Sequence, residues 1–221
     1  SPKEIIDSPP DLILVCSSAY IEIFSQIKKL KLNVDFKYVY ELFLMNHDFS
    51  DELANLKIDI LATKNVNFFE LFFKKPQIFL NITYRISRLL KKKKITFPIY
   101  VIFFVLHYLV CLLTSIQMPI NMKAGPGLII AHPGSIVFSE KATLGSFVTI
   151  YQCCTIGKTF SGANPIIGDF VTIFTGSNVL GGCKIGSHSI IGAMSLLLDF
   201  KCEKYSTVVG IPAIVKKKYN L

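Results

Sequence analysis

The stretch Ile167-Gly-Asp-Phe-Val-Thr-Ile173-Phe-Thr-Gly-Ser-Asn-Val179 carries an aliphatic side chain at every sixth position. The same spacing runs from 144 to 197, with one interruption between 156 and 167. A period of six matches neither an α-helix, which repeats every 3.6 residues, nor a simple strand, which repeats every two. It fits a chain wound into triangular coils, with one short strand on each side of the triangle. The aliphatic positions are Leu144, Ile150, Ile156, Ile167, Ile173, Val179, Ile185, Ile191 and Leu197.

Small or β-branched residues follow most of these aliphatic positions by four places. A repeat of six residues is the sequence signature of a parallel β-helix. We expect the aliphatic side chain to fill the centre of each coil and the small one to pack beside it, while glycine permits some of the corners. The small positions are Val148, Cys154, Val171, Ser177, Cys183, Ser189 and Ser195.

The composition limits the classes of function. The chain has 221 residues, 51% of them hydrophobic, and a formal net charge of +9. A basic surplus suits an anionic membrane surface or a phosphate-bearing ligand. Nucleic acid is disfavoured, because the lysines cluster in two short runs, 91–94 and 216–218, without interleaved aromatic residues. The six cysteines lack metal-ligand spacing with histidine, so we predict free buried thiols and no metal site.

Four regions follow one another along the chain. Residues 1–50 contain one α/β-like unit, which we interpret as a small accessory layer or the tail of a larger domain. Residues 51–117 have helical spacing, 118–204 form the coils, and 205–221 form a C-terminal tail. The chain begins at Ser1 without a signal peptide, so we expect that Ser1 is not its natural start.

Two segments depart from these regular patterns. The coils are interrupted by a polar loop at 158–165, for which we predict a role as a wall of the substrate site. Residues 95–116 carry no formal charge and directly follow the lysine run 91–94. By length this segment suffices to span a bilayer, which would place the coils on the non-cytoplasmic side. We expect instead a helix packed on protein or lying at the membrane surface, with spanning as the third alternative.

A specific resemblance runs through Ala124-Gly-Pro-Gly-Leu-Ile-Ile-Ala-His132-Pro-Gly-Ser-Ile-Val-Phe-Ser-Glu140, Val148-Thr-Ile-Tyr-Gln152, Thr155-Ile-Gly157 and Val209-Gly-Ile-Pro-Ala213. These segments resemble the serine acetyltransferase branch of the hexapeptide-repeat acyltransferases. The similarity covers about residues 68–216. It implies an α+β chain with a left-handed parallel β-helix, acetyl-CoA as the acyl donor, and a homotrimer with sites between neighbouring coils.

The resemblance also implies that His132 is the general base. The chemistry needs such a group, because a hydroxyl is barely ionised near neutral pH and must lose its proton as it attacks a thioester. Imidazole titrates near neutrality and can return the proton to the leaving thiolate. Of the other histidines, His107 lies in an apolar helix and is predicted to be core, and His188 is predicted to be a solvated corner residue.

The sequence departs from that branch around the site. Where the branch has an aspartate immediately before the catalytic histidine and another fifteen residues before it, this chain has Ala131 and Gln117. We therefore weigh Gln117 and Glu140 as orienting residues. Where the branch has an Arg-His pair that handles the serine carboxylate, this chain has Ala163 and Asn164. The loss of the cation disfavours an amino-acid acceptor, and Asn164 is a candidate acceptor-side residue.

The resemblance places acetyl-CoA along the later coils. Small residues there allow close approach of the pantetheine, and the C-terminal lysines offer charge to the phosphates. The candidate cofactor-binding residues are Gly157, Lys158, Thr159, Thr175, Gly176, Gly192, Ala193 and Lys216.

The sequence thus predicts an acetyl-CoA-dependent O-acetyltransferase that modifies a sugar hydroxyl of a bacterial capsular polysaccharide. We expect it in the cytoplasm, with peripheral contact to the inner face of the membrane. Three alternatives stay open: N-acetylation of a nucleotide-linked amino sugar, O-acetylation of serine, and a non-catalytic trimerisation scaffold.

Overall fold

The computed structural model describes residues 52–62, 75–91 and 96–218. Within these ranges, three helices precede the coils: α1 (Glu52–Ala62), α2 (Pro76–Lys91) and α3 (Phe97–Thr114). Pro76 and Pro98 occupy the first turn of α2 and α3, where a missing N–H costs nothing. Helix α3 ends at Ser115, which adopts a left-handed φ of 55° and donates its N–H to the carbonyls of the last turn. The predicted α/β unit at 1–50 lies outside the described residues.

The coils form a triangular prism with three parallel sheets, each taking one strand from every coil. Sheet A consists of β1 (Ile116–Gln117), β4 (Ile136–Phe138), β7 (Thr155–Gly157), β10 (Asn178–Leu180) and β13 (Leu196–Leu198). Sheet B consists of β2 (Lys123–Ala124), β5 (Thr143–Leu144), β8 (Ile166–Ile167), β11 (Lys184–Ile185) and β14 (Lys201–Cys202). Sheet C consists of β3 (Ile129–Ile130), β6 (Thr149–Ile150), β9 (Thr172–Ile173), β12 (Ile190–Ile191), β15 (Ser206–Val209) and β16 (Ile214–Lys218).

The six-residue repeat fills the core as predicted. Every aliphatic residue of the repeat is at most 4% exposed, and the small positions four places later are fully buried. Cys154 and Cys183 are among these buried positions and carry free thiols. Cys153 differs from the predicted buried thiol, because it is the corner residue of its coil and its side chain is exposed.

The prism begins and ends outside the range from 144 to 197. Ala124 pairs with Leu144 and Ile130 with Ile150, so the repeat extends back through the first coil. It is hidden in the sequence because Ala124 is small and the step after Ile130 has eight residues. At the other end β15 pairs with β12 and buries Val208, so part of the predicted tail completes the last coil. Only β16 runs antiparallel.

Helix α2 covers the first coil. Between coils, each earlier strand donates its N–H groups to carbonyls of the next, as from Ile129 to Val148. The carbonyls of the first coil therefore have no strand to donate to them, and such groups need partners when buried. Side chains of α2 supply the donors, including the Asn81 amide to the Leu128 carbonyl at 2.9 Å and the Tyr84 hydroxyl to the Met122 carbonyl at 2.6 Å. The helix thus caps the open end of the prism with polar contacts.

Candidate active site

His132 lies on an enlarged corner between β3 and β4. Ile130 pairs with Ile150 and Phe138 pairs with Ile156, so the first coil uses eight residues where the second uses six. The two additional residues carry the imidazole out of the prism, and the side chain is exposed. Its ring centroid lies 6.0 Å from that of Tyr151. Within the three described ranges neither ring nitrogen of His132 forms a hydrogen bond, so both are available to a substrate.

One edge of the prism joins sheet C to sheet A, and we call it the C–A corner. It consists of the residues between β3 and β4 and their equivalents in the later coils. The backbone is left-handed there at Cys153, Gly176 and Met194. Thr175 donates its hydroxyl to the carbonyl of Gln152 in the coil before it, at 3.1 Å. The structure therefore brings His132 to the same edge as four candidate donor-binding residues: Thr175, Gly176, Gly192 and Ala193.

Two glycines at this edge lie close to side chains of the next coil, and Gly176 also has a left-handed backbone. A Cβ on Gly176, where φ is +72°, would lie 2.2 Å from the Met194 sulfur. A Cβ on Gly192 would lie 2.6 Å from a methyl carbon of Val209. These contacts account for both glycines without invoking a bound ligand. Ala193 is exposed, and its small side chain leaves the edge accessible.

The predicted loop lies at a different edge. Gly157 ends β7 of sheet A, and residues 158–165 then project before β8 of sheet B begins. Within the loop, Asn164 accepts a hydrogen bond from the Ser139 hydroxyl at 2.5 Å and donates to the Gly162 carbonyl at 2.8 Å. The Thr159 and Ser161 hydroxyls bond each other, and Phe160 is fully exposed.

The loop and His132 therefore sit at opposite ends of the strands of sheet A. A single chain does not bring Lys158, Thr159 or Asn164 next to the imidazole.

Three other candidate residues lie apart from the imidazole. Gln117 is exposed on sheet A and forms no hydrogen bond with His132. Glu140 accepts a hydrogen bond from the Asn121 amide, whose oxygen in turn accepts from Lys91. Lys216 is exposed on β16, beside the last coil. In the described part of the chain, no carboxylate hydrogen-bonds His132.

Comparison with known proteins agrees with this architecture. Residues 164–199 match the family model described as bacterial transferase hexapeptide (six repeats). The matched residues lie within the prism, from the loop before β8 to β13. A serine acetyltransferase of Staphylococcus aureus strain Mu50 is 43% identical to this chain over 108 residues, which cover 48% of the chain and 50% of that protein. The chain thus matches about half the length of this curated relative.

Solved structures match the domain together with its helices. The crystal structure of serine acetyltransferase from Vibrio cholerae O1 superposes with a TM-score of 0.65 at 22% identity, covering 84% of this chain and 72% of that one. A serine acetyltransferase in complex with CoA gives a TM-score of 0.62 at 22% identity, covering 81% and 74%. At this identity the match concerns the fold, and it confirms the predicted left-handed parallel β-helix preceded by helices.

The prism carries an aromatic stack that the residue spacing did not lead us to predict. Phe147, Phe170, His188 and Tyr205 lie face to face on the edge between sheets B and C, with centroid distances of 4.8–5.0 Å. His188 is therefore not the solvated corner residue that we predicted, and burial lowers the pKa of its imidazole. The signal was present for three of the four, because Phe147, Phe170 and His188 each stand three places after an inward aliphatic residue of the repeat.

A second aromatic stack lies beside His132. Tyr151 stacks on Phe174 with centroids 5.0 Å apart, and its ring is tilted by 56° to that of His132. Both aromatic residues directly follow an inward isoleucine of sheet C, Ile150 or Ile173. Tyr151 belongs to the segment that carries the resemblance, which assigns it no role. Among the described residues its ring is the aromatic ring in contact with His132.

Proposed function

We propose that the chain is an acetyl-CoA-dependent O-acetyltransferase with His132 as the general base. The observation that carries this proposal is the position of His132 at an enlarged, exposed corner, with both ring nitrogens available among the described residues. The names of the relatives support the same reaction class.

In the proposed reaction the neutral imidazole takes the proton of the acceptor hydroxyl as its oxygen attacks the thioester carbonyl carbon. The carbon–sulfur bond breaks, the acetyl group stays on the acceptor oxygen, and the imidazolium returns the proton to the thiolate. Neutral imidazole suits both steps, because it can accept and return a proton near neutral pH. General-base assistance of this kind is worth roughly 10²–10⁴-fold in rate.

We propose that the donor lies along the C–A corner and that the working form is a homotrimer. The edge offers the Thr175 hydroxyl, the backbone of Gly176 and the small Ala193 in successive coils. The loop at 158–165 is remote from His132 within one chain, so a neighbouring copy would have to contribute it. Lys158, which is exposed at the base of this loop, would then meet the donor or acceptor of the next protomer.

The first candidate acceptor is serine. Both the curated relatives and the structural matches are named for serine acetyltransfer, and the identity of 43% is concentrated in part of the chain. These comparisons favour serine over the capsular sugar that the sequence analysis put first.

A sugar hydroxyl is the second candidate, on a specific observation. Ala163 and Asn164 occupy the positions where the resemblance leads us to expect a cation for the serine carboxylate. The side-chain amide of Asn164 already accepts a hydrogen bond from the Ser139 hydroxyl and donates one to the Gly162 carbonyl. Beyond Lys158 at its base the loop carries no charge, and such a surface suits a polyol better than an amino-acid carboxylate.

The test is release of free thiol from acetyl-CoA by the full chain, with L-serine, a capsular glycan and a UDP-linked amino sugar offered separately. We expect release with a hydroxyl acceptor and a loss of at least about 10²-fold in kcat for His132→Ala. The matched control is His188→Phe, which keeps the aromatic stack and should keep the activity.

Each outcome decides one part of the proposal. Release with serine but not glycan selects the first acceptor, and the reverse selects the second. Release only with the amino sugar would point to N-acetylation. An unchanged rate in His132→Ala would remove the imidazole as base, and no release with any acceptor would favour the scaffold.

A further inference from the structure

Helix α3 presents a long apolar face to solvent. Its eighteen residues include no Asp, Glu, Lys or Arg, and in the described part of the chain it is the one helix long and apolar enough to cross a membrane. Only 17% of it is buried against the protein. Exposed apolar surface of this extent marks an interaction site. The exposed large side chains are Phe97, Ile99, Val101, Ile102, Phe104, Val105, Tyr108, Leu109, Leu112 and Leu113.

The other face of α3 is held on the protein by polar contacts. The buried His107 donates from Nε2 to the Met118 carbonyl at 2.8 Å, and its Nδ1 lies 3.0 Å from the Thr83 hydroxyl of α2. Val110 and Thr114 are buried on the same side. A helix tied to α2 and to the first coil in this way lies on the surface of the domain, and crossing a bilayer would break these contacts.

The charges next to α3 indicate what covers the apolar face. The lysine run 91–94 directly precedes the helix, and the chain as a whole carries a net charge of +9. Lysines beside an apolar helix face are typical of helices that lie on anionic lipid. Tyr108 adds an amphipathic ring of the kind enriched at the membrane interface. A second copy of this face would offer no negative charge to the lysines.

We propose that α3 docks the protein on an anionic lipid bilayer. The helix lies in the plane of the membrane, its apolar face enters the boundary between headgroups and acyl chains, and the positive charge that the sequence places before the helix favours anionic headgroups. This proposal does not depend on the acetyltransferase activity.

The experiment is vesicle flotation with the full chain. We expect binding to vesicles of phosphatidylcholine with about 30% phosphatidylglycerol, and at least tenfold weaker binding to phosphatidylcholine alone. Ile102→Glu combined with Leu109→Glu places two charges on one helix face and should lower binding at least tenfold. The matched control, Leu53→Glu, makes the same kind of change at an exposed position of α1 and should bind as the unmodified chain does.

A second variant keeps the proposal testable if the first is unstable. Lys92→Gln, Lys93→Gln and Lys94→Gln together leave α3 intact and should remove the preference for phosphatidylglycerol. Absence of binding by the unmodified chain, or full binding by a folded α3 variant, would overturn the proposal. So would a lower molecular mass of the α3 variant in light scattering without lipid, because a second copy would then cover the face.

Discussion

Arg85 of α2 and Asp59 of α1 form an ion pair with 2.9 Å between Nε and Oδ2, and both side chains are at most 2% exposed. The guanidinium also donates to the carbonyls of Ala124 and Gly125, at 2.8 and 2.6 Å. The carboxylate accepts from the backbone N–H of Gly127 at 2.7 Å. One ion pair therefore joins two helices and the first coil.

Removal of this guanidinium should destabilise the chain strongly. Arg85→Leu leaves the Asp59 carboxylate buried without its counter-ion, which typically costs about 3–5 kcal/mol. We expect this loss in the free energy of unfolding measured by chemical denaturation. The exposed pair of Lys218 and Glu203 provides the control, since Lys218→Ala should leave the unfolding midpoint unchanged. Equal effects of the two changes would contradict the assigned role of burial.

Gly186 should not tolerate a side chain. A Cβ there would lie 2.4 Å from the backbone of Glu203 and Lys204 in the next coil, and backbone has little freedom to move aside. We expect Gly186→Ala to lower the free energy of unfolding by about 2–3 kcal/mol. Gly182→Ala is the matched change, because its nearest neighbour is a side-chain oxygen of the exposed Asp199 at 3.3 Å. The prediction fails if thermal unfolding ranks the two variants the other way.

Acid should weaken the contact of α3 with α2 through His107. Burial lowers the pKa of this imidazole below its ordinary value, so the unfolded chain binds the proton more readily than the folded one. The contribution of neutral His107 to the free energy of unfolding is complete above the unfolded-state pKa of about 6.5. It is lost as the pH falls from that value through the lower pKa of the folded state. We expect the urea midpoint to fall between about pH 6.5 and pH 5.

His107→Gln isolates this contribution. Its side-chain amide can still donate to the Met118 carbonyl but does not titrate, so the fall of the midpoint with acid should become shallower. Part of the dependence of the urea midpoint on pH should persist, because burial also lowers the pKa of His188. An unaltered slope in the variant would show that His107 is not linked to folding.

Tyr151 should matter for catalysis beyond its contribution to stability. Tyr151→Leu removes the ring that faces His132, and we expect a loss of several-fold in kcat with little change in the KM for acetyl-CoA. Phe147→Leu is matched to it, because Phe147 also stacks on a phenylalanine of the next coil. Both changes should cost about 0.5–1.5 kcal/mol of stability. Equal kcat values for the two variants would assign Tyr151 a purely structural role.

The coiled fold was predictable because its repeat is local. Each inward aliphatic residue, from Leu144 to Leu197, stands at a fixed distance from the next, and the burial of each follows from that spacing. The interruption at 158–165 was visible for the same reason. The first coil was obscured, because Ala124 is too small to register as an aliphatic position and the step after Ile130 has eight residues.

Contacts between distant residues were not predictable from spacing. The pairing of Arg85 with Asp59 joins positions 26 residues apart, and the cap of Asn81 on Leu128 joins positions 47 apart. The stacked position of His188 depends on Phe170 and Tyr205 in adjacent coils. A corner histidine looks solvated until its neighbours along the prism axis are known.

The sequence by itself determined the prism, its inward residues and the projecting loop, because a strict period leaves the backbone one efficient way to bury its aliphatic side chains. The candidate base came from the family resemblance of the segment around His132. Only the tertiary structure decided that His132 and the loop occupy different edges, that α2 caps the first coil, and that α3 turns most of its apolar surface outward. These features depend on contacts between residues that are distant in the sequence. The spacing of residues along the chain does not specify those contacts.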